Sequence, residues 1–371
     1  MKKLSLFIYS MAGGGAERVV SNLLPALVKN YEVHLVLMND TIVYEIPKEV
    51  KIHYIEKSRP FENGIWKFLK LSNLALRYRD LCNKLKIDVH FVWMNRPCFI
   101  AAIAKFFDLK GKMIFNECST PSILYSKRNI RSKVGKFLIR RLYPKADFIM
   151  PNSLGNLRDL EKNFKIPRTK MDVLYNAVDL EKIEILSKKE ISIKKPFFLS
   201  VGRLDSGKNF ELLIRAYSKL KNCDKDLVIL GDGVLKDYLT NLIVELKLTK
   251  KVHLLGFDSN PYKYMSKCYA FVFVSKFEGF SNVLIEALAC ERFVISSDHP
   301  SGASELLGEN DWGFLIPVND EKQTMLIMQT ALNEPQIVKS YENRAKIRAL
   351  NFDKNLISNS LIEKIEEICK A

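Results

Sequence analysis

Residues 197–209 read Phe-Phe-Leu-Ser-Val-Gly-Arg-Leu-Asp-Ser-Gly-Lys-Asn: a short uncharged strand that runs directly into a glycine-containing loop. A strand this apolar on both faces belongs in a parallel sheet covered by helices on either side. Comparable runs occur before it at Leu4–Ser10, Glu32–Leu37, Val89–Met94, Met113–Asn116 and Phe148–Met150. After it come Leu227–Leu230, Val252–Leu255, Phe271–Val274, Phe293–Ser296 and Phe314–Ile316. Stretches of helical apolar period separate them, so the chain predicts an α/β fold with a doubly wound sheet built twice. At 371 residues and 47% apolar content, two domains are favoured over one. The expected boundaries are 1–178, a hinge at 179–195 closed by Pro196, and 196–371, with the last helix crossing back to the first domain. Ligands of such sheets bind beyond the carboxyl ends of the strands, which predicts a site in a central cleft between two facing Rossmann-like domains.

Bulk composition excludes several classes. No Pro/Gly-rich or low-complexity tract suggests disorder. The seven cysteines form no CxxC pair and are odd in number, which fits a reducing compartment better than a disulfide framework. The opening Met1–Gly15 imitates a signal peptide, but its apolar run is short and reads as a first strand. No run approaches the ~18–20 apolar residues of a membrane-spanning helix. The five histidines show no metal spacing, and Asp224-Lys225-Asp226 reads as a turn on the wrong side of its strand, so no metal is expected.

Three segments carry chemistry. Gly13-Gly14-Gly15-Ala16-Glu17-Arg18 lets a ligand approach the backbone at a helix start, although Arg18 breaks the GxGxxG dinucleotide fingerprint. In the loop quoted first, Arg203 and Lys208 leave a strand end on either side of glycines, beginning with Gly202. A guanidinium and an ammonium there suit a diphosphate leaving group, whose charge grows as its bond breaks. The third is Glu278-Gly279-Phe280-Ser281-Asn282-Val283-Leu284-Ile285-Glu286. A helix beginning near Ser281 would offer the free N–H groups of Ser281–Leu284 to phosphate, Glu278 would reach sugar hydroxyls and Glu286 ribose hydroxyls. Gly231, at the end of the next strand, would line the same pocket.

Together with Asn176–Asp179, these segments resemble the GT-B retaining glycosyltransferases of family four, over essentially the whole chain. Within that family the resemblance is to enzymes that build the lipid-linked glycan of bacterial protein N-glycosylation. It implies transfer of N-acetylgalactosamine from UDP-GalNAc, without a metal or cofactor, to an undecaprenyl-diphosphate-linked GalNAc-diacetylbacillosamine disaccharide. It also implies that Arg203, Lys208 and Glu278 serve catalysis, that Gly14, Gly15 and Phe280 adjoin the donor, and that Val252 and Leu254 edge the uracil. One departure is Asn116-Glu117-Cys118: a histidine usually stands where this chain has Cys118, which turns attention to Glu117. The wider family also offers lipopolysaccharide or capsule transferases using other nucleotide sugars.

Charge is unevenly spread. Residues 1–180 carry 31 Lys and Arg against 16 Asp and Glu, whereas 181–371 carry 27 against 26. An anionic partner for the first half follows. Between Ile123 and Lys145 stand Lys127, Arg128, Arg131, Lys133, Lys136, Arg140, Arg141 and Lys145 with no acidic residue, interleaved with Ile130, Val134, Phe137, Leu138 and Leu142. Trp66, Phe68 and Leu69 precede Lys70, Arg77 and Arg79 in a similar mixture. Both suit helices lying on an anionic membrane, with Arg18 on the acceptor side. The expected location is the cytoplasmic face of the inner membrane, peripherally bound. A basic nucleic-acid-binding protein is the competing class; no zinc-finger or RRM signature supports it, so nucleic acid is not an expected partner.

Overall fold

The computed structural model describes residues 1–57 and 64–370. The chain forms two compact units, 1–177 with 354–371 and 178–353. This partition differs from the expected one at the hinge. Residues 180–187, placed in a hinge, form a helix that packs on helices 262–265 and 282–289 of the second unit. The last helix, Lys354–Lys370, belongs to the first unit.

The first unit contains strands β1 Lys3–Ile8, β2 Glu32–Leu37, β3 Lys51–Tyr54, β4 Val89–Trp93, β5 Lys112–Glu117 and β6 Phe148–Pro151. They form one parallel sheet in the order β3-β2-β1-β4-β5-β6. β3 was not expected. It is an edge strand with exposed side chains, so burial never wrote a pattern into it.

The second unit contains β7 Phe197–Val201, β8 Asp226–Leu230, β9 Val252–Gly256, β10 Ala270–Phe273, β11 Val294–Ser297 and β12 Phe314–Ile316. Its parallel order is β12-β11-β10-β7-β8-β9, the same winding as the first. In each unit the first and fourth strands are neighbours, and the winding reverses between them. That reversal point, at the carboxyl ends of β1/β4 and of β7/β10, is where such sheets hold ligands.

Helices cover both faces. In the first unit, helices 71–85, 95–106, 130–142 and 154–164 share one core with Phe7, Val92 and Phe115. Helices 15–30 and 354–370 form the other, against Leu6, Leu35 and Phe91.

Candidate active site

The second unit's site grows from the loop after β7. Gly202 still donates to Leu230 O at 3.0 Å, and Leu204 to Asp232 O at 2.9 Å, so this loop lies backbone to backbone on the one after β8. Gly231 has φ +142°, and a Cβ there would strike the Gly202 carbonyl. Close approach of the two loops therefore demands glycine at 231.

Asp205 organises the rest. Its Oδ1 accepts from the amides of Gly207 (2.9 Å) and Lys208 (3.2 Å), and its Oδ2 from Arg203 Nε (2.6 Å). Burial alone would raise its pKa, but Arg203 and the two amides hold the carboxyl below its ordinary value. The Lys208 stem then runs over Gly202, whose added Cβ would lie 3.3 Å from Lys208 Cδ. Lys208 Nζ ends 2.5 Å from Glu278 Oε1 and 5.0 Å above the Phe273 ring. Ser275 Oγ also donates to Glu278 Oε1, at 2.5 Å, and lies 3.1 Å from Gly207 O. Thus Lys208 and Glu278 meet at the reversal point between β7 and β10, and Arg203 is tied to the same loop through Asp205. Asp205 and Ser275 were missed. Only the turn-like Asp-Ser-Gly of 205–207 hinted at the former.

The helix beginning at Asn282 has Ser281 as its N-cap residue, yet the Ser281 side chain does not cap it. Its Oγ instead lies 3.4 Å from Nε2 of His299, a buried imidazole whose pKa burial depresses. Several expectations need correction here. Phe280 packs on Phe352, 5.3 Å between ring centres, and Leu284 is in the core with its N–H given to Ser281 O at 3.1 Å. Asn282 and Val283 are the partly exposed residues of this helix start. Glu286 is only 1% exposed, with Tyr262 OH donating to it at 3.4 Å, so a ribose would reach it only if its cover moved. Val252 is the first residue of β9 and is core, with Leu254 packed against that core. At the carboxyl end of β9 the exposed residues are Leu255 and Phe257.

In the first unit, Gly14 is the N-cap residue of helix 15–30 and Glu17 its third residue. The buried Glu17 carboxylate folds back over Gly14, where any Cβ would collide with it. This is the reciprocal position that a capping box uses. Burial pushes the Glu17 pKa up. Arg18 lies over the Tyr44 ring, with Nε 3.4 Å from the hydroxyl that in turn donates to Gly14 O at 3.1 Å. Gly13 to Gly15 remain exposed.

Glu117, the substitute for the missing histidine, is not open to a reactant. Oε2 accepts from Tyr143 OH (2.6 Å) and Asn95 Nδ2 (2.8 Å), and Oε1 from Ser119 Oγ (2.7 Å) and N (3.0 Å). Four donors occupy a fully buried carboxylate, and burial pushes its pKa up against them. Its geometry is that of a brace joining the ends of β4 and β5. Beside it, burial and the neighbouring Glu117 push the Cys118 thiol well up, so it stays protonated.

Helix Ile130–Leu142 turns Ser132, Gly135, Ile139 and Leu142 inward. Gly135 abuts the Tyr125 ring, where a Cβ would not fit. Ile130, Val134 and Phe137, spaced i, i+4 and i+7, lie on the opposite face. Ile130 is 81% exposed and Phe137 58%. Lys127, Arg128, Arg131, Lys133 and Arg141 are exposed around them, with Lys136 partly covered and Arg140 tied to Asn163 O at 3.1 Å. Trp66 is 61% exposed on helix 64–69. Asp224 pairs with Lys225 and Asp226 with His253, at the amino side of β8, away from the loops above.

Two Rossmann-like units wound alike, each with a polar cluster beyond its strand ends, and with Arg203 and Lys208 on one loop of the second, have the architecture of a GT-B transferase. Residues 13–182 match the family described as Glycosyltransferase Family 4, and 181–348 that described as Glycosyl transferases group 1. The chain belongs to these glycosyltransferases. It is 55% identical, over 98% of its length and 99% of the relative's, to N-acetylgalactosamine-N,N'-diacetylbacillosaminyl-diphospho-undecaprenol 4-alpha-N-acetylgalactosaminyltransferase of Campylobacter jejuni. It is 30% identical, with both chains fully covered, to that organism's GalNAc-alpha-(1->4)-GalNAc-alpha-(1->3)-diNAcBac-PP-undecaprenol alpha-1,4-N-acetyl-D-galactosaminyltransferase. Among solved structures, Anabaena HepE in complex with UDP and glucose superposes with a TM-score of 0.80 at 20% identity, covering 99% of this chain and 100% of the other.

Proposed function

We propose that this enzyme transfers N-acetylgalactosamine from UDP-GalNAc to undecaprenyl-diphosphate-linked GalNAc-diacetylbacillosamine, forming an α1,4 linkage with retention. The observation that carries this is the 55% identity, running through both units, to the Campylobacter enzyme named for that acceptor. Identity falls to 30% against the enzyme named for the next longer glycan.

In this reading the donor diphosphate takes Arg203 and Lys208, with the partly exposed start of helix 282–289 beside it. As the glycosidic bond breaks, negative charge gathers on the departing phosphate, and fixed cations stabilise that charge more than the ground state. Glu278, anchored by Ser275 and Lys208, accepts from a hydroxyl of the transferred sugar. Retention follows if the acceptor attacks from the leaving group's own face, with the phosphate oxygen taking its proton. No base from Glu117 is then needed. The uracil lies against the exposed end of β9, at Leu255–Phe257, in place of Val252 and Leu254.

The outward apolar stripe of helix 130–142, ringed by cations, supports docking on the anionic inner-membrane surface where a polyprenyl acceptor resides. Among the described residues no helix is long and apolar enough to cross a membrane.

Purified enzyme, UDP-GalNAc and a polyprenyl-diphosphate GalNAc-diacetylbacillosamine should yield a product heavier by one N-acetylhexosamine in mass spectrometry. Extension only of the trisaccharide, or only with another nucleotide sugar, would overturn the assignment.

A further inference from the structure

Arg203 presents a puzzle for a phosphate ligand: its side chain is 77% exposed on a loop, where a free guanidinium would sample many rotamers. The Asp205 carboxylate restrains it. Asp205 Oδ2 takes Arg203 Nε at 2.6 Å, which leaves the Nη1/Nη2 fork, the part that grips phosphate in two parallel bonds, outside that contact. The other oxygen of the same carboxylate takes the amides of Gly207 and Lys208 at 2.9 and 3.2 Å. Lys208 starts from that pinned backbone and passes over Gly202 to reach Glu278.

We infer that Asp205 is a positioning residue that sets both cations of the donor-diphosphate site at once, orienting the Arg203 fork with one oxygen and the base of Lys208 with the other. The inference rests on the reading of Arg203 and Lys208 as diphosphate ligands. An opposite role is conceivable on charge alone, with Asp205 competing against phosphate for Arg203. The two differ in sign. A competing carboxylate, once neutralised, improves phosphate binding; an orienting one, once neutralised, weakens it. The contact at Nε rather than at the fork favours orientation.

The test is UDP affinity by titration calorimetry for the full-length enzyme, Asp205→Asn, Asp205→Ala, Arg203→Ala and the double variant Arg203→Ala/Asp205→Asn. Asparagine keeps an oxygen for the two amides but loses the charge that holds Arg203. Its UDP affinity should fall about two- to tenfold, the scale of immobilising one rotamer-rich side chain. Alanine, losing the turn as well, should fall further. In the Arg203→Ala background the asparagine change should have almost no additional effect, which a merely structural role would not produce. Unchanged or tighter UDP binding by Asp205→Asn, with Arg203→Ala weakened, would overturn the inference and leave the donor site standing. Equal loss in both backgrounds would overturn it too, reducing Asp205 to a turn residue. Unchanged binding by Arg203→Ala would remove the donor-site reading, and this inference with it.

Discussion

Lys208 and Glu278 stand 70 positions apart in the chain and 2.5 Å apart in the fold. Each was legible in its own motif, because an ionisable residue on a glycine loop after an apolar strand has few structural reasons to be there. Their pairing was not, since nothing in two separate loops states their distance. Burial was equally invisible: Glu286 and Glu278 look alike in sequence, yet one is covered and the other reachable. Lys208→Ala should lower turnover about 100-fold or more, the scale of removing one preorganised charge partner, while circular dichroism stays unchanged. Near-normal initial rates would dissociate the pair from catalysis. A different residue contributes to acid stability. His90 is buried, donates from Nε2 to Lys110 O at 2.7 Å and takes Tyr78 OH on Nδ1 at 2.9 Å, and burial lowers its pKa to about 4. The neutral ring is the folded form, so between about pH 6.5 and 4 the unfolded state binds the extra proton and stability falls as pH drops. The loss approaches about 3 kcal/mol by pH 4. Chemical denaturation across that range should show a shallower decline for His90→Gln than for the parent.

At the scale of elements, helix 130–142 shows that a helical apolar period need not face the core. Ile130, Val134 and Phe137 repeat as a core stripe would, and Leu138 and Leu142 extend the apolar count. The face that packs is instead built on small residues, Ser132 and Gly135, with Ile139 and Leu142. Gly135 wins that face because Tyr125 leaves no room for a Cβ, a constraint from 10 residues upstream that periodicity alone does not register. β3 escaped for a related reason: an exposed edge has no buried face to impose alternation. An apolar stripe left outward amid cations predicts binding to anionic vesicles. Reversing Arg131, Lys133 and Arg141 to glutamate should weaken vesicle partitioning by more than about 100-fold, since the three lost attractions alone are about 1 kcal/mol each and the new carboxylates add repulsion. Transfer to a short water-soluble acceptor should persist. Undiminished sedimentation with phosphatidylglycerol vesicles would exclude this helix as the docking element.

At the scale of the whole molecule, the two sheets were readable because strands covered by helices carry mostly apolar runs, and eleven of the twelve strands were located from such runs. Helix 354–370 follows the second sheet in sequence but completes the first unit. Ile357, Leu361, Ile365 and Ile368 are buried in the same core as Val20, Leu24 and Leu35. Glu366 adds a hydrogen bond from Tyr31 at 2.9 Å and an ion pair with Lys2. Burying four such side chains contributes about 6–12 kcal/mol, as much as the net stability of an ordinary domain. The first unit therefore depends on both ends of the chain. A fragment of residues 1–177 should lack a cooperative melt, and adding a peptide of residues 354–371 should restore one, with a midpoint that rises with peptide concentration. The fragment 178–353, which contains the whole of the core running from Phe198 to Tyr341, should melt cooperatively alone. A cooperative transition from 1–177 without the peptide would show that helix 354–370 is a passenger on that face rather than part of its core.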